Sequence, residues 1–280
     1  MNNNFILNRV FSQKTINDML LYGSSDVLET AYKKYISADI SVDNKDKFQS
    51  LYKVLEKSYR NEYYYKNTLL NKLLLGKHSL NTTTALSEVT INKSKADFIL
   101  LNGKAVVYEI KTELDTLNRI VNQVSDYYKV FKNVEIVTEK SHLDKILELY
   151  SGTEVGVSII TERKTIKNIV KSQPVSTSLD YLAIYKMLRK NERINILKNY
   201  YKILPEVDSF SEFKVYFEIF KNIPMTNVYD QMILELKKRS ESIRQNKEQF
   251  LGVPYELKSL LYFGGMTEKI FEKFYKRLEE

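Results

Sequence analysis

Asp97, Glu109 and Lys111 are the residues whose types and spacing suggest chemistry in this chain. They lie in the stretch K-A-D-F-I-L-L-N-G-K-A-V-V-Y-E-I-K from Lys95 to Lys111. Two apolar runs flank Asn102-Gly103, the dipeptide of a tight turn, so the stretch reads as a β-hairpin. Side chains alternate along a strand, so Glu109 and Lys111 point to one face. A buried sheet face does not carry unpaired charge without cost. Two carboxylates and an ammonium gathered on one face are what a divalent metal and an activated water require.

Whether Asp97 joins that face depends on the turn. A two-residue loop at Asn102-Gly103 sets Asp97 opposite Tyr108, on the wrong side. A three-residue loop with Gly103 in the left-handed region, closing a G1 bulge, shifts the register by one residue. Asp97, Glu109 and Lys111 then share a face, with Ala96, Phe98, Tyr108 and Ile110 on the other. The sequence permits both turns; the second is the expectation because it makes the charges converge.

With Asp97 as the first acid and Glu109-Ile110-Lys111 as E-x-K, the hairpin resembles the PD-(D/E)XK nuclease superfamily. Downstream, Gln123-Val124-Ser125-Asp126-Tyr127 resembles the Q-x-x-x-Y motif of its RecB-like exonuclease branch. The run from Tyr63 to Ile160, with Y-E-I-K-T-E-x-D-x-x-x-R at Tyr108 to Arg119, is similar to a poorly characterised family of bacterial nuclease-like proteins. The proline that usually precedes the first acid is Ala96 here; it carries no chemistry. The resemblance implies a metal site in which Asp97 and Glu109, helped by the backbone carbonyl of Ile110, hold Mg²⁺ or Mn²⁺. Lys111 would orient water and stabilise developing negative charge. An acid upstream of the hairpin often completes such a site, and Glu88 is the matching residue.

Asp115, Arg119, Gln123 and Tyr127 recur at four-residue steps, so on one helix they form a single drifting polar stripe. Gln123 is expected to position water or a phosphate, Tyr127 to contact the substrate strand, and Arg119 to hold a phosphate. The opposite side of that helix carries Leu117, Ile120, Val121, Val124 and Tyr128. Lys95, with Lys93, flanks the acid strand and is a candidate phosphate contact. His78 and His142 are the two histidines and fall in different elements, which argues against a histidine metal site.

These residues need a scaffold. At 280 residues the chain can hold one large or two modest domains. A net charge of +8, spread along the chain without a basic tail, suits a phosphate-backbone partner. The absence of cysteine excludes disulfides, thiol catalysis and cysteine-based zinc sites. The start, Met1 to Phe5, lacks the pattern of a signal peptide, and no apolar run is long enough to span a membrane. A cytoplasmic protein is the expectation.

The expected architecture has three parts. Residues 1–60 are a helical extension, with helical periodicity over 25–37 and 45–59 and a helix start at Asp43 to Asp46. Residues 61–170 form an α/β core: a helix over 61–76 capped by Gly76, a strand over 87–91, the hairpin, a helix over 115–131, a strand over 134–138, a helix over 141–150 and a strand over 154–160. The family resemblance implies a restriction-endonuclease-like core with a mixed central sheet flanked by helices. Residues 171–280 open with a polar linker, 171–178, and continue as helices broken at Pro205, Pro224 and Pro254. Within them, basic residues from Lys186 to Lys198 lie among apolar ones, the pattern of a packing helix with a basic outer face or of a contact along nucleic acid.

The expected function is a metal-dependent nuclease that hydrolyses phosphodiester bonds in DNA, in phage defence or mobile-element biology. The helical extensions would handle substrate or bind a protein partner. Two alternatives stand beside it: a non-catalytic nucleic-acid-binding or protein-interaction module on a nuclease scaffold, and an RNA-cleaving, toxin-like nuclease.

Overall fold

A computed structural model describes residues 5–36 and 42–280. The chain forms two compact units, one of residues 1–81 with 240–280 and one of residues 82–239. The expected three-part division does not coincide with them. No helix among the described residues is long and apolar enough to cross a membrane.

The first unit is helical. Its N-terminal part runs through Phe5–Val10, Gln13–Tyr22, Asp26–Ile36, Asn44–Ser58 and Glu62–Leu69, the last continuing into a π-helical stretch, Leu70–Leu75. Helix starts are capped by short polar side chains: Asp43 accepts from the Asp46 N–H at 2.7 Å and Asn61 from the Tyr64 N–H at 3.1 Å. The expected end of the third helix, Ser37, lies outside the described residues, as does most of the stretch from Met1 to Phe5. The expected helix 61–76 belongs here and not with the sheet. The reason is Asn67, fully buried, whose amide donates to the Tyr52 hydroxyl and the Tyr255 carbonyl and whose oxygen accepts from the Ser259 N–H. A buried amide is costly unless satisfied, and its partners come from residues 52, 255 and 259.

The second unit holds a six-stranded mixed sheet: β1 (Thr84–Ile91), β2 (Ser94–Asn102), β3 (Lys104–Lys111), β4 (Asn133–Thr138), β5 (Gly156–Ile160) and β6 (Ile166–Val170), in that spatial order. β1, β2 and β3 pair antiparallel, β3–β4 and β4–β5 parallel, and β5–β6 antiparallel. Helix α1 (Ile120–Tyr128) connects β3 to β4, and α2 (Lys140–Leu149) connects β4 to β5, as parallel pairing requires. The mixed α/β class expected from the sequence is what the chain adopts.

One sheet face carries Ile99, Val107, Val134, Ile136 and Val157, packed with Ile120, Val124 and Ile146 of the connecting helices. The same core takes in Ala183, Ile184, Ile196, Phe220 and Met232 from four further helices, α3 (Tyr181–Met187), α4 (Lys190–Tyr201), α5 (Glu212–Phe220) and α6 (Met225–Lys238). Residues 171–178 are therefore not a free linker. Gln173 N–H donates to the Glu154 carbonyl, Val175 N–H to Lys132 and Asp180 N–H to Lys129, each within 2.9 Å. These bonds lead the chain back over the sheet, so α3 packs on β1. Strand β6 was not expected. It is a half-exposed edge with Lys167 and Asn168 both exposed, a pattern that protects edges and hides the strand from hydrophobic periodicity.

Candidate active site

The hairpin turn decides which residues can meet. Asn102 pairs with Lys104 across Gly103, whose φ is +64°, and the register runs Leu101–Ala105, Leu100–Val106, Ile99–Val107, Phe98–Tyr108. One step further sets Asp97 against Glu109. The odd-numbered turn therefore forms, and the acids share a face. On the other side, β1 pairs Ser87 with Phe98 and Val89 with Ala96, which sets Glu88 against Asp97. Glu88, Asp97 and Glu109 thus occupy one row across three adjacent strands.

Glu88 departs from strand geometry, with φ at +56°. A left-handed conformation at a non-glycine residue is costly, by about 1–2 kcal/mol. It aims the side chain: a Glu88 oxygen and an Asp97 oxygen lie within 4.8 Å of each other. Oxygens that share a magnesium ion lie at most about 4 Å apart, so small side-chain rotations bring this pair into range. Asp97 is also anchored, accepting from the Ile110 N–H at 2.8 Å. In an antiparallel pair the N–H and C=O of one residue point to the same side. The Ile110 carbonyl therefore faces Asp97 as well.

Glu109 and Lys111 are buried at the end of β3, at 1% and 7% exposure. Lys111 Nζ donates to Glu109 Oε1 at 2.7 Å and to Gln123 Oε1 at 3.0 Å. The other Glu109 oxygen is 2.5 Å from the Tyr127 hydroxyl, which also lies 2.9 Å from the Lys95 carbonyl. A hydroxyl has one proton to give, and it faces two acceptors here. Burial pushes the Glu109 carboxyl upward, opposed by the Lys111 charge and by hydrogen bonds from Lys111, Tyr127 and Gln123. Tyr127 thus links the Glu109 carboxyl to the backbone of the acid strand. Burial and the Glu109 charge raise the Tyr127 phenol far above its ordinary range, so it stays neutral.

The donor chemistry fits a hard divalent cation. Glu88 and Asp97 supply converging oxygens and Ile110 a carbonyl; Glu109 would join by releasing Lys111 or Tyr127. All are oxygen ligands, and no histidine or cysteine takes part, which suits Mg²⁺ or Mn²⁺.

The helix behind the strand is shorter than expected. It starts at Ile120 and not at residue 115. Asp115 closes a turn by accepting from the Thr112 N–H and hydroxyl, both at 2.8 Å, so it leaves the stripe. Gln123 and Tyr127 both reach the site, Gln123 at the border of the cleft. Tyr127 is fully buried, so it cannot touch a substrate strand; it positions Glu109. Gln123 positions Lys111. Val121, expected on the packed side, is 53% exposed.

Asp97 opens into a cleft of about 1290 Å³. Asp97, Gln123, Lys95, Lys93 and Arg119 border it, so the two expected phosphate contacts, Lys95 and Arg119, are brought to the site. Lys95 Nζ pairs with Glu88 at 2.6 Å, with both side chains about half exposed. Such a pair is worth about 0–1 kcal/mol and exchanges readily. Sequence reasoning missed Asp126, which shares the cleft and receives hydrogen bonds from Ser94 at 2.8 Å and Asn92 at 3.2 Å. Burial would raise its carboxyl, but these bonds and Lys129 outweigh burial and lower it. Lys186, from the basic tract after the expected linker, also reaches the cleft, and only the fold brings it there.

Residues 56–260 match the family described as bacteriophage P4 protein cII. The chain belongs to that family. No curated protein matches the sequence of this cII-family chain. Among solved structures, a protein of unknown function from Silicibacter pomeroyi aligns at 13% identity and a TM-score of 0.29, covering 46% of this chain and 87% of that one.

Proposed function

We propose that this member of the cII family is a metal-dependent nuclease that hydrolyses phosphodiester bonds in DNA. The observation that carries the reading is the meeting of Asp97, Glu109 and Lys111 on one sheet face, with Asp97 and Gln123 opening into a cation-bordered cleft. It agrees with the resemblance of the hairpin and of Gln123 to Tyr127 to PD-(D/E)XK nucleases. The phage origin in the family description fits a role in phage or mobile-element biology.

Glu88, Asp97, Glu109 and the Ile110 carbonyl would hold Mg²⁺ or Mn²⁺. When bound, the cation polarises the scissile phosphate and lowers the pKa of water. Lys111 keeps a positive charge beside the reacting phosphate; two of its three donors are spent on Glu109 and Gln123, which fix its direction. Tyr127 orients Glu109. Lys93, Lys95 and Arg119 draw the phosphate backbone into the cleft.

A second reading has its own observation. Both Glu109 oxygens are engaged by protein groups, so the cluster can also stand as a structural ion pair in a non-catalytic nucleic-acid-binding module. Incubation of the purified protein with circular DNA, linear DNA and RNA, with and without Mg²⁺ or Mn²⁺, separates the readings. Metal-dependent cutting of DNA is expected, abolished in Glu109→Gln. Cutting that survives exhaustive EDTA, or cutting of RNA alone, would overturn the proposal. Binding without cutting would favour the second reading.

A further inference from the structure

The cleft over Asp97 continues beyond the acid row. A second cleft shares Asn92 and Lys186 with it, and holds Glu88 and Arg189. A third shares Arg189 and Arg239 with the second and holds Lys190 and Lys238. The three lie end to end, joined through Lys186 and Arg189. These two residues flank the elbow where α3 ends and α4 begins, with Leu188 and Arg189 extended between the helices.

The walls of this channel are fixed by spent charges. Arg239 grips Glu192 through two bonds of 2.7 and 2.6 Å, and Asp180 caps α3 at the Ala183 N–H. The cations at its rim are exposed: Lys93, Lys95, Arg119, Lys186 and Arg189. Between them stand amides and hydroxyls, such as Asn92, Asn122 and Ser125, and the carboxylate of Asp126, which is held by Asn92, Ser94 and Lys129. Among the described residues, no aromatic side chain lines any of the three clefts.

That composition selects among polyanions. Proteins that hold single strands combine a basic groove with aromatic platforms on which bases stack. Lysine, arginine, amide and hydroxyl groups without a platform are the set that meets the phosphates of a duplex, whose bases are already stacked. We infer that the channel from Asp97 along Lys186 and Arg189 is a track for the phosphate backbone of duplex DNA, read without regard to base sequence. The inference rests on the nuclease reading for the choice of DNA, but its residues lie outside the acid row, on the α3–α4 elbow.

The test is binding in EDTA, where no turnover occurs. Fluorescence anisotropy of the full-length protein is measured against a labelled DNA duplex, its single strand and an RNA duplex of the same sequence, over a range of salt. Wild type should favour the DNA duplex. Lys186→Glu with Arg189→Glu should weaken duplex binding by about tenfold or more and flatten the salt dependence by about two phosphate contacts. Lys186→Ala removes one exposed charge and leaves the elbow backbone intact; it should flatten the slope by about one. Unchanged binding in the double variant would overturn the track, as would wild-type preference for the single strand or the RNA duplex, or no binding at all. If wild type cuts DNA while the double variant binds equally well, the track fails and the nuclease reading stands. If the double variant loses binding but wild type never cuts, the track stands and the nuclease reading fails.

Discussion

At the scale of single residues, Glu109 carries the heaviest load. Its carboxyl is buried, and the ammonium of Lys111 depends on it. Removing one member of a buried pair strands the other, at a cost of about 3–5 kcal/mol. Glu109→Ala should therefore lose both activity and stability, whereas Glu109→Gln should lose activity with a smaller drop in melting temperature. The same burial sets a pH dependence. The Glu109 carboxyl is raised above its ordinary 4.5, so between that value and its native value the folded state binds a proton that the unfolded state has released. Stability from this group is then present at acid pH and is lost as pH rises through the native value. Denaturant midpoints compared over pH for wild type and Glu109→Gln should show this falling slope in wild type alone; parallel curves would contradict the assignment.

At the scale of elements, the hairpin and α1 divide the work between packing and chemistry. Gln123 contributes no large apolar area, and its oxygen holds Lys111. Gln123→Ala should reduce turnover strongly with little change in thermal stability. Val124, one residue on, is 5% exposed in the core, and Val124→Ala should do the reverse, costing roughly 0.5–3 kcal/mol. Equal turnover in Gln123→Ala and wild type would mean that the helix serves only packing. Strand β1 makes the opposite trade. Glu88 holds a left-handed backbone, and glycine adopts that conformation freely. Glu88→Gly should raise unfolding stability by about 1 kcal/mol while weakening metal binding. Calorimetric titration with Mn²⁺ beside a thermal melt measures both, and a loss of stability would show that the strand needs this side chain.

At the scale of the molecule, metal binding should be visible as folding energy. A ligand that binds only the native state adds about 2.7 kcal/mol at a hundredfold excess over its dissociation constant. Mg²⁺ or Mn²⁺ should thus raise the melting temperature of wild type and leave Asp97→Asn unmoved. A shift of the same size in Asp97→Asn would place the ion elsewhere. Unit boundaries belong to this scale too. A cut after residue 170 follows the composition, yet it removes α3 from β1 and frees the sheet from the bonds at Gln173, Val175 and Asp180.

The sequence alone determined what is local. Alternation of side chains fixed Glu109 and Lys111 on one face, and the Asn-Gly turn limited the register to two choices. Helical periodicity located α1 but not its start, because Asp115 bonds its own turn, a choice periodicity does not register. The tertiary structure decided what depends on distant contacts. It chose the register that aligns Asp97 with Glu109, turned Glu88 toward Asp97, buried Tyr127 where an exposed stripe was expected, and folded residues 171–239 back onto the sheet. A strand register, a left-handed residue and a buried hydroxyl are each settled by neighbours far along the chain, and a single sequence window does not contain those neighbours.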